Sequence, residues 1–194
     1  MKRAGPIALV LLAAAACAAT AAGRDSSVPT ASRCGGQLWR MKTLSDVQRR
    51  LVDLTPKTTT VAAVSSRPYP RPVPRHRRTA FQHQVWEVVA QITRYRLEPG
   101  GVRLEVFDGG SYLNAVIPLP TCLSRATRAR DDIKSAWNLF SVKCTRPGRD
   151  WQSLGAVVYV RGVGFWSQRR GLRGAARNGA ELHPVTGLRF VAGC

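Results

Sequence analysis

From Trp86 to Ile117 apolar and polar residues alternate along the chain, and two glycine pairs cut the run into three pieces. Trp86, Val88, Ala90 and Ile92 alternate with Glu87, Gln91 and Thr93, and Pro99-Gly100-Gly101 then supplies a turn. Val102, Leu104 and Val106 alternate with Arg103 and Glu105, and Asp108-Gly109-Gly110 leads into Tyr112 to Ile117. A period of two requires extended chain with one buried face, and short glycine turns join neighbouring strands antiparallel. A three-stranded meander is therefore expected.

Pro118 and Pro120 end the meander. Ser124 to Phe140 places Ile133, Ala136, Trp137 and Phe140 at helical spacing, with basic residues on the other faces, and predicts a helix. Ala156 to Trp166 reads as a fourth strand, and Ala180 to Phe190 as a fifth, interrupted near Pro184 and Gly187. Three strands, a helix and two strands is the order of the OB-fold, a five-stranded Greek-key barrel. The expected fold is thus mainly β, with the helix between strands three and four. Upstream, Ser45 is a candidate N-cap for a short helix over 45–54, with Val47, Leu51 and Leu54 on one face. Pro68, Pro70, Pro72 and Pro74, set among Arg67, Arg71, Arg75, Arg77 and Arg78, exclude a helix and favour extended backbone. That stretch reads either as a solvated connector or as a basic arm for an anionic polymer. Residues 1–22 are expected as a leader, 23–80 as an arm with a short helix and linker, and 81–194 as the barrel.

The start of the chain carries Lys2 and Arg3, then an apolar run from Ile7 to Ala16 that is too short for a permanent bilayer span. Two readings of this leader stand. Cleavage after Ala21 or Ala22 would release a secreted protein, whereas a lipoprotein leader would make Cys17 the acylated first residue. Either reading puts the mature chain outside the cytoplasm. Beyond the leader remain Cys34, Cys122, Cys144 and Cys194, an even number that suggests disulfides in an exported chain. Three connectivities exist; the expected one joins Cys34 to Cys122 and Cys144 to Cys194, fastening the arm and the C-terminus to the body.

Thirty Lys and Arg stand against 11 Asp and Glu, for a formal charge of +19, and all but five of the basic residues are Arg. Arg makes planar, two-pronged contacts with phosphate, sulfate and carboxylate groups and stacks on aromatic rings. The segment between the fourth and fifth strands holds Arg169, Arg170, Arg173 and Arg177, with Trp166 at its entrance, while Arg103 and Tyr112 fall on strands two and three. These seven residues are the candidate ligand-binding set. Their expected partner is an anionic polymer, either nucleic acid or an acidic envelope polysaccharide. Membrane contact would come only through a lipid anchor or the basic surface. A charge this large is also what Ala- and Arg-rich composition produces without any site.

Enzyme chemistry has less material. Glu181 and His183 are two apart on an expected strand and so share a face, where a carboxylate can orient an imidazole for acid-base work. They are the candidate catalytic pair of a hydrolase or nuclease-like alternative; the other reading is a structural pair. No C-x-x-C, P-loop, G-x-S-x-G or G-x-G-x-x-G occurs, and the other histidines, His76 and His83, lie in or beside the Pro/Arg stretch. No metal or cofactor is expected.

Gly162-Val163-Gly164-Phe165, Gly171, Gly174, Asn178-Gly179 and Glu181-Leu182-His183-Pro184-Val185 resemble the C-terminal segment of a family of uncharacterised exported bacterial proteins. Cys34-Gly35, Trp39, Lys42-Thr43-Leu44-Ser45-Asp46 and Pro118-x-Pro120-x-Cys122 are similar to other parts of that family. The resemblance touches most of residues 34–190 and implies an exported, OB-like domain, without an activity. This chain departs from the family pattern where Ser167, Arg170 and Leu172 stand in place of Asp, His and Gln, and where Arg103 replaces a His. Pro99-Gly100-Gly101 replaces an acidic cluster.

Overall fold

The computed structural model describes Met1 and residues 34–144, 146–169 and 171–194. The leader, Cys17 and Arg170 lie outside the described residues. The meander is present as β2 (Gln84–Glu98), β3 (Gly101–Asp108) and β4 (Ser111–Pro118). Asp108 pairs with Ser111 across Gly109-Gly110, whose φ values of 54° and 78° are those of a two-residue hairpin turn. β5 (Gln152–Trp166) and β6 (Ala180–Ala192) follow. β2 pairs with β3, β3 with β4, β4 with β6 and β6 with β5, and β5 returns to β2, so five strands close a ring of hydrogen bonds. Within it β4 and β6 are parallel, and every other pairing is antiparallel.

The inward residues of all five strands form one core that includes Val88, Ile92, Leu104, Leu113, Val158 and Leu182. The helix α3 (Arg130–Lys143) closes part of it with Ala136 and Phe140, Ile133 of the same helix being buried too, and the Phe140 ring meets Tyr95 edge-on at 5.1 Å. Its buried face is the expected one, but it begins six residues later than Ser124. Ala129 adopts a left-handed conformation (φ 56°), and Asp131 and Asp132 occupy the first turn, where carboxylates suit the positive end of the helix dipole.

A sixth strand lies outside the sequence expectation. Asp53–Thr58 forms β1, parallel to the start of β2, in place of the end of the expected helix over 45–54. The expected helical face does not exist, because Val47 and Leu51 are exposed while Leu44 and Val52 are buried with Val85 and Val163. The Thr-rich run that follows favours extended chain. Among the described residues, helical turns outside α3 occur at α1 (Trp39–Lys42), α2 (Val61–Ser65) and three short 3-10 turns.

The Pro/Arg stretch is not simply solvated. Among the described residues, those from Cys34 to Ala80 belong to the same compact unit as the ring. Arg77 is buried, donating to Asp46 from Nε and Nη2 and to the carbonyls of Gln82 and Met41. Arg67 lies over the Trp86 ring at 4.3 Å. The cysteines pair as expected, Cys34 with Cys122 and Cys144 with Cys194. Among the described residues no helix is long and apolar enough to cross a membrane.

Candidate functional site

A bulge in β2 prepares the site. Ile92 faces Val106 and Arg94 faces Glu105, so Thr93 is an extra residue that reverses the parity of the strand. Val88, Ala90 and Ile92 point inward before it, and Tyr95 after it, which turns Arg94, Arg96 and Glu98 to the other face. There the register aligns Arg94, Glu105, Asn114 and Glu181 as successive partners across β2, β3, β4 and β6.

This face carries one ion pair, Arg94–Glu105, and a linked chain, Arg96–Glu98–Arg103–Glu181. Arg94 grips Glu105 with both prongs, at 2.6 and 2.9 Å. Arg96 donates twice to one oxygen of Glu98, and Arg103 donates to the other at 2.8 Å. Arg103 reaches on to Glu181 at 3.2 Å. The hydrogen bond to Glu105 raises the Arg94 pKa. Burial opposes the charge on Arg103, yet Glu181 and Glu98 raise its pKa above the usual value. Burial likewise opposes ionisation of Glu98, but Arg103 and Arg96 hold it below the usual carboxylate range.

Residues 167–169 and 171–179 of the segment between β5 and β6 fold over this face. Ser167 N donates to Gly179 O at 2.8 Å, which closes its base. Asn178 donates to the carbonyls of Val64 and Arg67, tying the segment to the Pro/Arg stretch. Gly174, at φ 77°, sits against the Glu105 carboxylate where no side chain fits. With its amide oriented to satisfy both neighbours, Asn114 donates to Gly174 O and accepts from Arg103, each at 3.2 Å.

Between segment and sheet lies a cavity of about 1060 Å3. Arg103, Tyr112, Arg169, Arg173 and Arg177, all singled out from the sequence, line it together. Arg94, Arg96, Lys42 and Trp151 also line it, and sequence reasoning missed them. Both guanidinium groups of Arg94 and Arg96 lie 4.5 Å from the Trp151 ring centre. Among the described residues, no carboxylate is within ion-pair distance of Arg169, Arg173 or Arg177.

Trp166, expected to stack on a ligand, is instead buried. Its indole N–H donates to Thr79 at 3.0 Å, and its ring packs on Phe81 and Tyr69. Glu181 lines the cavity, but His183 does not. The His183 imidazole is sealed, with neither nitrogen hydrogen-bonded among the described residues, and its Nδ1 stands 4.0 Å from Glu181 Oε2. Burial pushes its pKa down to about 4, so it is neutral at neutral pH. Burial opposes ionisation of Glu181 too, yet the neighbouring His183 and Arg103 hold its carboxyl well below the usual range. Among the described residues no group of three or more His, Cys, Asp or Glu is placed to hold a metal ion.

No family model and no curated protein matches the chain. Among solved structures it is similar to a Leishmania major protein solved as an aspartyl-tRNA synthetase, at 12% identity and a TM-score of 0.44, over 72% of this chain and 21% of that one. It is also similar to the asparaginyl-tRNA synthetase of Entamoeba histolytica, at 11% identity and a TM-score of 0.43, over 72% of this chain and 24% of that one. The chain thus spans about a quarter or less of the length of the enzymes it resembles.

Proposed function

We propose that this chain is an exported, non-enzymatic binding protein for an anionic ligand, nucleic acid or an acidic envelope polymer, built on an OB-like barrel. The closed ring of β2 to β6 has the strand pairing that such a barrel requires, with its helix between the third and fourth ring strands. The observation that carries the binding reading is the cationic wall of the cavity. Arg169, Arg173 and Arg177 gather on one side of a concave site with no carboxylate beside them among the described residues. Uncompensated guanidinium groups over a cavity attract phosphate, sulfate and carboxylate groups. The two disulfides fit an oxidising compartment, and the charged and apolar start of residues 1–22 supports export, with lipidation at Cys17 as its variant. Kinship with the exported family that shares the Glu181-to-Val185 end belongs to the same reading. Glu181 and His183 act as a structural pair, since one is engaged by Arg103 and the other is out of the cavity's reach.

The test is binding of the oxidised chain to single-stranded DNA and to an acidic polysaccharide across a salt series, beside the variant Arg169→Gln/Arg173→Gln/Arg177→Gln. The parent's affinity for its ligand should fall with rising salt. On a single strand the variant's slope should be shallower by roughly 0.7 for each phosphate that is no longer neutralised. An unchanged slope in the folded variant would reject the assigned wall.

A further inference from the structure

The charge in the cavity is sorted into two layers. Toward the sheet, Arg94, Arg96 and Arg103 are matched by Glu98, Glu105 and Glu181, so these six strand side chains are neutral together, Lys42 of α1 being a further cation of the lining. Toward the covering segment, Arg169, Arg173 and Arg177 are uncompensated among the described residues. A site that recognised charge alone would gain nothing from three carboxylates in its floor, because they cancel the attraction that the arginines provide.

What the floor offers instead is planar surface. The Trp151 ring and the guanidinium groups of Arg94 and Arg96 lie together, and Tyr112 lines the same cavity. The carboxylates fix those planes: Glu105 holds Arg94 in a two-pronged grip, and Glu98 is shared by Arg96 and Arg103. Pairing in the plane leaves a guanidinium's face for stacking.

Such an arrangement suits a ligand that carries its charge along one side and flat, uncharged rings along the other. A single strand of nucleic acid is built that way, with phosphates repeated along the backbone and a π-face on every base. An acidic polysaccharide carries its charge on saturated rings and has no π-face. Building on the anionic-ligand reading above, we propose that the cavity is a single-stranded nucleic-acid site in which Arg169, Arg173 and Arg177 take phosphates and Trp151 with Arg94 and Arg96 stacks a base.

The experiment compares the affinity of the oxidised chain for a short oligothymidylate, an abasic deoxyribose-phosphate oligomer of the same length, and alginate. The parent should bind the oligothymidylate about tenfold or more tightly than the abasic oligomer, the gain expected from stacking one base. Trp151→Leu should lose that difference and keep the abasic affinity. Equal affinity for the two oligomers, or tighter binding of alginate, would overturn the proposal, and the parent comparison alone decides this if the variant does not fold. These failures would leave the cationic wall standing. Its own failure is separate: the triple arginine variant would then bind all three probes as the parent does.

Discussion

Gly174 approaches the Glu105 carboxylate so closely that a methyl group on its α-carbon would overlap both oxygens, and its φ of 77° is one that L side chains rarely adopt. The covering segment is therefore seated on the same carboxylate that grips Arg94.

Gly174→Ala should lift the segment from the floor and loosen the Arg94–Glu105 pair. The left-handed backbone alone costs about 1–3 kcal/mol, so both the thermal midpoint and anion affinity should fall. Parent-like values for both in calorimetry and binding would show that the segment is not seated as described.

Arg77 and Asp46 form a buried pair thirty-one positions apart. Arg77→Met would leave the Asp46 carboxylate unpartnered and remove a donor from the Gln82 carbonyl and one of the two from the Met41 carbonyl. Loss of one member of such a pair costs roughly 3–5 kcal/mol. Urea unfolding of Arg77→Met, Asp46→Leu and the double variant should give a double loss well below the sum of the single losses. Additive losses would mean the two side chains do not act together.

Stability should decline on acidification in two stages. His183 binds its proton near 6.5 when unfolded and near 4 when folded, because burial resists the charge. Between those values only the unfolded chain is protonated, so stability present above pH 6.5 drains away down to about pH 4, by on the order of 3 kcal/mol. Glu181 is also depressed, from 4.5 to about 2, so its contribution is lost as pH falls below 4.5. Unfolding of His183→Leu followed at pH 7 and pH 4.5 should be nearly flat across the first stage. A pH dependence equal to the parent's would assign that stage to another group.

Reduction should destabilise the chain without changing its cavity residues. The Cys34–Cys122 bridge spans 88 positions, and removing a native disulfide typically costs about 2–5 kcal/mol. Cys34→Ser/Cys122→Ser should therefore melt lower than the parent, and adding reductant should shift the parent further than this variant. No shift in either would mean that the arm is held by its packing alone.

Much of this architecture is legible in the sequence because local periodicity and core position coincide. Val102, Leu104 and Val106 alternate in sequence and are buried in fact, and Ile133, Ala136 and Phe140 form the buried face of α3. The convergence of Arg103, Tyr112, Arg169, Arg173 and Arg177 follows from strand order, since the segment joining the paired ends of β5 and β6 begins and ends beside β6, whose other neighbour is β4, with β3 next to it. Arg94 and Arg96 escape a sequence reading because the bulge at Thr93 changes the phase of β2. The signal is present: apolar residues move from Val88, Ala90 and Ile92 to Tyr95 and Leu97. Trp166 misleads for a different reason. Its burial depends on Tyr69, Thr79 and Phe81, residues about ninety positions away whose proximity no local pattern announces.

Asn178 gives its side-chain amide to the carbonyls of Val64 in α2 and Arg67 in the Pro/Arg stretch, and Arg169 lies over Tyr69 of the same stretch. The covering segment and that stretch are consequently not separable modules. Transplanting residues 167–179 onto another ring would carry over the arginines without the scaffold that sets their height above the sheet, so a working graft would have to include residues 64–69 as well.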